Sequence, residues 1–510
     1  MKEIKMITDT REKFRPYTKP EDFEKIIELD TVSEMWEKCV MDYPNITAVQ
    51  SVDGAHTFLE LEEDAAAFRT LVLEKTKGVQ NARVAILAQN SYDFVKAYLA
   101  VVTLGLTAVI MPAHLDKTAV FGCCLKFGVS ALVYQGALEE SVELAKEKLD
   151  HVGFIEISET SDTKTQLVKC TADTPCVMMF TGGTTGKSKC ALLSNGAVMQ
   201  GTVNGCYGVW DVFYQKYLLV LPLSHVFGLI RNLMTSLYTG STLFICKNNK
   251  DMFRDIAVFK PTIMVMVPAL AEMALTLSKQ FGRNMLGDDL KTIIAGAAVV
   301  APYLIEEYDK LGIKLLQGYG LTESANLVSG NPESLKFPES IGYPYPNQEL
   351  KIVDGELWLK GKNMMDGYVG EEETDAYEDG WFKTGDLVRI DENGMLYITG
   401  RIKEIIVLPS GENISPAELE TKFNALPFVQ DSQVFEDIDE GGKHILALEV
   451  VPRKTVISKM DLENANEFIT KELQKVNSAL KAFERVNRIT IRENDFQRSP
   501  SMKIVRYKKC

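Results

Sequence analysis

Between residues 57 and 316 the chain keeps returning to one pattern. Short apolar runs at 84–87, 131–134, 218–221, 242–245, 263–266 and 292–295 alternate with helical segments such as 138–149 and 302–311. A continuous apolar run of four residues is buried on both faces when it forms a strand. Strands of that kind joined by helices make parallel sheets with right-handed crossovers, so this part of the chain is α/β. The charge-free stretch 97–113 fits the same reading. It is too short for a membrane span and is broken by Gly105 and Pro112. It therefore reads as a buried helix to about residue 104, a turn at Gly105 and a strand at 108–111. No transmembrane segment is expected.

The pattern changes twice. From residue 350 the strands shorten and Gly, Asp and Asn turns crowd between them (350–353, 356–359, 396–399), which describes a small β-subdomain. After Gly400-Arg401 come a hairpin, a helix at 416–424, strands at 431–436 and 444–451, and a helix at 460–480. With 510 residues the chain exceeds one core. We expect a large N-terminal domain over 1–400, made of parallel α/β sheets plus the β-subdomain, and a smaller α+β domain over 401–510. Ahead of all this, an amphipathic helix is expected at 32–43, capped by Thr31 or Ser33.

Composition excludes several classes. A net charge of −14 disfavours nucleic acid as the main partner, because phosphate backbones reward basic faces. Nine cysteines without a Cys-x-x-Cys pair, and only five histidines, argue against a zinc centre. The opening Met1-Lys2-Glu3-Ile4-Lys5 carries no signal peptide, so reduced thiols in the cytoplasm are expected.

Chemistry concentrates in the loop that follows the apolar run 177–180. Thr181, Gly182, Gly183, Thr184, Thr185, Gly186, Lys187 and Lys189 fall within nine residues. Glycines let backbone amides approach an anion, and hydroxyls and ammonium groups complete a phosphate cradle. A P-loop would need a glycine at 181, where threonine stands, and a helix afterwards, where 190–193 reads as a strand. Further loops follow in order: Tyr319-Gly320-Leu321-Thr322-Glu323, Trp381-Phe382-Lys383-Thr384-Gly385-Asp386, Gly400-Arg401-Ile402-Lys403-Glu404, Gly411 to Glu420, and Arg498 to Arg506.

In this order and spacing the loops resemble the signature motifs of the adenylate-forming (AMP-binding) superfamily, most closely its acyl-CoA synthetases. The resemblance covers nearly the whole chain. It departs at Gly182, Ser188, Cys190 and Met502, where relatives carry Ser, Pro, Gly and Gly, and a looser phosphate loop is expected from Ser188 and Cys190. The resemblance implies a carboxylic acid–thiol ligase that forms an acyl-AMP from ATP and passes the acyl group to CoA. The implied cofactors are ATP, Mg2+ and CoA or a carrier-protein pantetheine. Thr181 to Lys189 would hold the β- and γ-phosphates. Tyr319 would stack on adenine, with Gly296, Ala297 and Ala298 on its other face. Gly320 belongs to the same loop, Thr322 would touch the α-phosphate, and Glu323 would bind Mg2+. Asp386 would accept the ribose hydroxyls with Arg401 nearby.

By the same resemblance Lys503 would bridge carboxylate and α-phosphate during adenylation. Lys403 would be the hinge of a mobile C-terminal lid, and Gly411 would line a pantetheine tunnel. His225, in Pro222-Leu-Ser-His-Val-Phe-Gly228, would flank the acid pocket. No aspartate matches the one that pairs with an α-ammonium in amino-acid-activating relatives. The wording favours a fatty acid, and an aryl acid stays open. Two alternatives also stay open: an acyl- or aryl-AMP ligase that loads an acyl carrier protein, and a nucleotide-binding protein that has lost turnover.

Overall fold

The structure is a computed structural model. It describes all residues except 1–4, 8, 182–188, 371–375, 409–411, 440, 443, 459–461, 499–503 and 507–510. Two large sheets carry the N-terminal part, and both are parallel through their centres. In one, strands Pro175–Phe180, Thr107–Met111, Arg83–Leu87, Val129–Tyr134 and Gly153–Glu156 lie side by side in that order. Cys190–Ser194 and Gly367–Tyr368 extend its first edge in antiparallel fashion. In the other, Lys314–Tyr319, Thr292–Ala295, Ile263–Met266, Lys216–Leu219, Thr242–Ile245 and Thr47–Ser51 run parallel. Antiparallel strands close both of its edges. Five of the six apolar runs are strands throughout and the sixth, 218–221, is strand only to Leu219; nearly all of their residues are buried, as two-sided packing requires.

Local signals set the connections. Thr57 and Glu60 form a reciprocal cap at the start of helix Phe58–Lys75: the Glu60 N–H donates to Thr57 Oγ1 (3.2 Å) and the Thr57 N–H to Glu60 Oε2 (2.8 Å). Thr31, rather than Ser33, caps helix Val32–Asp42. The stretch 97–113 divides as expected into helix Tyr92–Val102, a turn with Gly105 at φ +69°, and strand Thr107–Met111. Among the described residues no helix is long and apolar enough to cross a membrane.

The short strands after 348 form an antiparallel sheet that also recruits Lys5–Ile7. It has its own small core around Val328, Leu350, Leu357, Leu359 and Leu396. Further on, Val429–Ile438 pairs antiparallel with His444–Pro452, which pairs parallel with Arg488–Ile491. Helices Pro416–Asn424 and Leu462–Ala479 pack on that sheet over a separate core that includes Phe423, Val434, Leu448 and Leu473. Among the described residues, Arg453 ties this unit to helices that pack on the large sheets. The Arg453 guanidinium stacks 3.7 Å from the centre of the Tyr303 ring and its Nε donates to Glu272 Oε1 at 3.0 Å.

Candidate active site

In open parallel sheets, ligands collect beyond the carboxyl ends of the strands, where loops diverge and backbone groups are free. Three neighbouring strand ends do this here. Thr181 follows Phe180, Gly296 follows Ala295, and Gly320 follows Tyr319. They open onto one cavity of about 1540 Å³. Glu356, Lys383, Thr384, Gly385 and Arg401 of the antiparallel subdomain wall its other side, and Ile402 and Lys403 stand at its edge. The wall continues past His225 and Phe227 to Tyr207, Arg231 and Tyr345.

Polar groups at the first end are tightly paired. Arg401 Nε donates to Asp386 Oδ1 at 2.6 Å and its Nη2 to Asp386 Oδ2 at 3.2 Å, while the Tyr319 hydroxyl donates to Oδ2 at 2.5 Å. The pairing follows from the ladder, since Asp386 and Arg401 are register partners on adjacent strands. Burial opposes the Arg401 charge, but the hydrogen bond and charge of Asp386 outweigh it and hold its pKa above the usual arginine value. Burial, reinforced by the Asp386 charge, pushes the Tyr319 hydroxyl well above the ordinary tyrosine range. Next to Tyr319, glycine is obligatory: a Cβ on Gly320 would lie 1.2 Å from the Asn326 carbonyl oxygen.

A second chain of contacts links the phosphate loop to the Thr322–Ser324 turn. The Thr181 N–H donates to the Lys189 carbonyl at 2.8 Å, closing the neck of the loop. The Lys189 ammonium lies 4.5 Å from the centre of the Tyr368 ring, and the Tyr368 hydroxyl donates to Glu323 Oε1 at 2.6 Å. Glu323 itself lines the cavity, and this contact engages one of its two carboxylate oxygens. One carboxylate oxygen beside a phosphate loop suits a hard cation that takes most of its ligands from phosphate and water. No cluster of three or more metal-ligating side chains occurs among the described residues.

Most expected site residues meet here. Thr181, Lys189, His225, Gly296, Ala297, Tyr319, Gly320, Thr322, Glu323, Arg401 and Lys403 all line the cavity. Ala298 does not: it is exposed on the turn beyond Ala297 and outside the cavity lining. Asp386 stands behind the wall, 4% exposed, with both oxygens engaged by Arg401 and Tyr319. Cys190 is a strand residue paired with Phe180 and 1% exposed, so it packs in the core instead of shaping the loop. Burial pushes its thiol up to about 12. Gly182, Gly183, Thr184, Thr185, Gly186, Ser188, Gly411, Met502 and Lys503 lie outside the described residues. Tyr368 escaped the sequence reading. Its only trace is the dipeptide Gly367-Tyr368, and it reaches Lys189 because those two residues pair with Ala191 and Leu192.

A family model described as AMP-binding enzyme matches residues 36–369, and one described as AMP-binding enzyme C-terminal domain matches 403–509. The chain belongs to the AMP-binding enzyme family. Relatives of this AMP-binding enzyme include the long-chain-fatty-acid–CoA ligase FadD15 of Mycobacterium bovis, 27% identical over 488 residues and covering 80% of each chain. The 4-coumarate–CoA ligase-like 6 of Arabidopsis thaliana is 28% identical over 468 residues, covering 83% of this chain and 80% of the relative. Among solved structures, the o-succinylbenzoate CoA synthetase MenE of Bacillus subtilis, in complex with its acyl-adenylate intermediate OSB-AMP, superposes with a TM-score of 0.76. At 24% identity it covers 94% of this chain and 98% of that one, and it shows the fold.

Proposed function

We propose that this AMP-binding enzyme is an AMP-forming carboxylic acid–CoA ligase. The observation that carries the reading is the single cavity joining the phosphate-loop neck, the Tyr319–Glu323 turn and Arg401 to the His225 pocket. A nucleotide and an acid held there would meet at Thr322. Both reactants are anions, so the site must offset charge and align attack. The acid carboxylate attacks the α-phosphorus, the bond to the β-phosphate oxygen breaks, and pyrophosphate leaves. The thiol then attacks the acyl carbon and expels AMP.

The chain's own residues divide this work. The loop from Thr181 to Lys189 would hold the β- and γ-phosphates. Thr322 would donate to an α-phosphate oxygen, and Tyr319 would lie against the adenine. Arg401, already fixed by Asp386, would face the ribose. Glu323 would hold Mg2+, whose charge offsets that of the phosphates. Lys503 would bridge carboxylate and phosphate oxygens. Lys403, at the cavity edge in the Ile402–Glu404 turn, would be the pivot between residues 1–400 and 401–510, with Gly411 beside the incoming pantetheine. Free thiols at all eight described cysteines suit a reducing cytoplasm. Relatives named for fatty and aromatic acids leave both acid classes in view, with the fatty class favoured by the wording of 315–323 and of Val226-Phe227-Gly228.

Pyrophosphate exchange over fatty, aryl and short acids tests the reading, with Lys503→Ala as control. Exchange with at least one acid, lost in the variant, is expected. No exchange with any acid would overturn the ligase reading. Lys403→Pro should slow thioester formation and spare exchange, because proline fixes φ at the pivot. Equal losses in both half-reactions would remove the hinge role. Supplying CoA and a carrier protein in parallel identifies the acceptor, and CoA is expected.

A further inference from the structure

A buried arginine normally shows its reason for being buried. Arg69, 0% exposed, donates to the Thr165 carbonyl at 2.7 Å and to Thr103 Oγ1 at 3.0 Å, and it pairs with Glu62. Arg453, 6% exposed, has one buried nitrogen without a partner, but its charge is met by Glu272 and the Tyr303 face. Arg231 is different. It is 2% exposed and lines the cavity, yet it makes no ion pair among the described residues: the Tyr217 hydroxyl is the polar side chain that reaches it, and its Nη1 is buried without a partner. A guanidinium stays charged at any working pH, and leaving that charge dry and unpaired is costly. Such an orphan in a native structure requires an explanation.

Among the described residues no carboxylate forms an ion pair with Arg231. The Tyr217 and Tyr345 hydroxyls and the Cys206 thiol feel its charge. Asp22, a buried carboxylate whose charge also reaches Cys206, is already engaged by the N–H groups of Val212 (3.1 Å) and Phe213 (3.5 Å) and by Lys25 (3.4 Å).

Arg231 also has a defined place in the cavity. It lies on the π-helical segment Phe227–Met234, one turn beyond Phe227 and six residues beyond His225. Six residues span at most about 9 Å along a helix axis. The cavity lining holds one more orphan donor: Asn326 Nδ2, on a residue 7% exposed, is buried without a partner. The two segments touch, since Ile230 and Ala325 both pack on Gly201. Phe14 and Tyr345, stacked at 5.2 Å, complete an aromatic floor.

We infer that the acid this enzyme activates carries a second carboxylate, which Arg231 receives at the end of the pocket away from the nucleotide. The inference rests on the ligase reading and sharpens its substrate class. The activated carboxylate lies by His225, and the distal one pairs with Arg231 and takes a hydrogen bond from Asn326. Arg231 is then a specificity residue. It rejects the matched monoacid because that ligand leaves the guanidinium desolvated and unpaired.

The test is pyrophosphate exchange with matched pairs, each an α,ω-dicarboxylic acid and the monocarboxylic acid of equal length, together with benzoate against its para-dicarboxylate. In the wild type the best diacid should exceed its monoacid in kcat/KM by about tenfold to a hundredfold. In Arg231→Met that ratio should fall towards unity, mainly through a higher KM for the diacid, and Arg231→Lys should keep part of the preference. Wild-type enzyme favouring the monoacid of every pair sinks the proposal while leaving the ligase reading intact. So does a ratio that Arg231→Met leaves unchanged. If Arg231→Met does not fold, the wild-type ratios and Arg231→Lys decide. Exchange with neither series sinks the ligase reading, and this proposal with it.

Discussion

The two ends of the cavity are built on opposite plans. At the end proposed for the nucleotide, Arg401, Asp386 and Tyr319 satisfy one another at 2.5–3.2 Å, and Tyr368 fixes Glu323. At the end proposed for the acid, Arg231 and Asn326 have buried donors with no partner. A network that is complete before ligand arrives holds its geometry and loses little on binding. A donor left unpaired is completed by the ligand, so its cost in the empty protein becomes discrimination in the complex. On the proposed reading, the contrast separates a reaction end, which would serve any acid, from a selection end, which would serve one class.

Substitutions can break that contrast, and the largest effect belongs to its most connected residue. Asp386→Ala removes the acceptor of both Arg401 and Tyr319. We expect kcat/KM for ATP to fall about a hundredfold or more, the scale of two charge-assisted hydrogen bonds, while the KM for the acid stays within error. Exchange kinetics with each substrate varied in turn measure both. An acid KM that rises as much as the ATP KM would mean that the two ends are coupled.

Gly330→Ala probes the other end. A Cβ there would lie 2.1 Å from the Tyr345 hydroxyl oxygen, at the aromatic floor. The ring must move, and the KM for the acid should rise about tenfold. The affinity for ATP, followed by calorimetry, should not change. Weakened nucleotide binding would show that the floor supports both ends. Tyr319→Phe is the mildest change. It keeps the ring and deletes one hydrogen bond to Asp386, so the KM for ATP should rise about fivefold. No change would mean that Arg401 alone orients the carboxylate.

Legibility in the sequence followed the same division. The strands ending at Phe180, Ala295 and Tyr319 were readable because four-residue apolar runs between helical segments have few other solutions. The motif residues were readable because their chemistry is written into short consecutive stretches. Even there, tertiary contacts revised details: Asp386 turned behind the wall and Ala298 stayed outside the cavity, while Cys190, in the strand expected of it, proved buried in the core. Tyr368 was invisible, because a lone Gly-Tyr says nothing until strand pairing sets it beside Lys189 and Glu323.

By itself the sequence determined the alternation of elements, the order of the loops and the chemistry each loop can perform. These depend on local periodicity, turn chemistry and residue type, all of which act over a few positions. The meaning of Arg231 was decided only by the tertiary structure. In the sequence it is one cation in the helical run Phe227–Met234, where a solvated face would be the ordinary expectation. Burial without a partner is a property of everything around it: Tyr217, Cys206, Asn326 and Tyr345 come from separate segments and bring no carboxylate. A charge can be read from one residue, but the lack of its counter-charge depends on every segment packed around it.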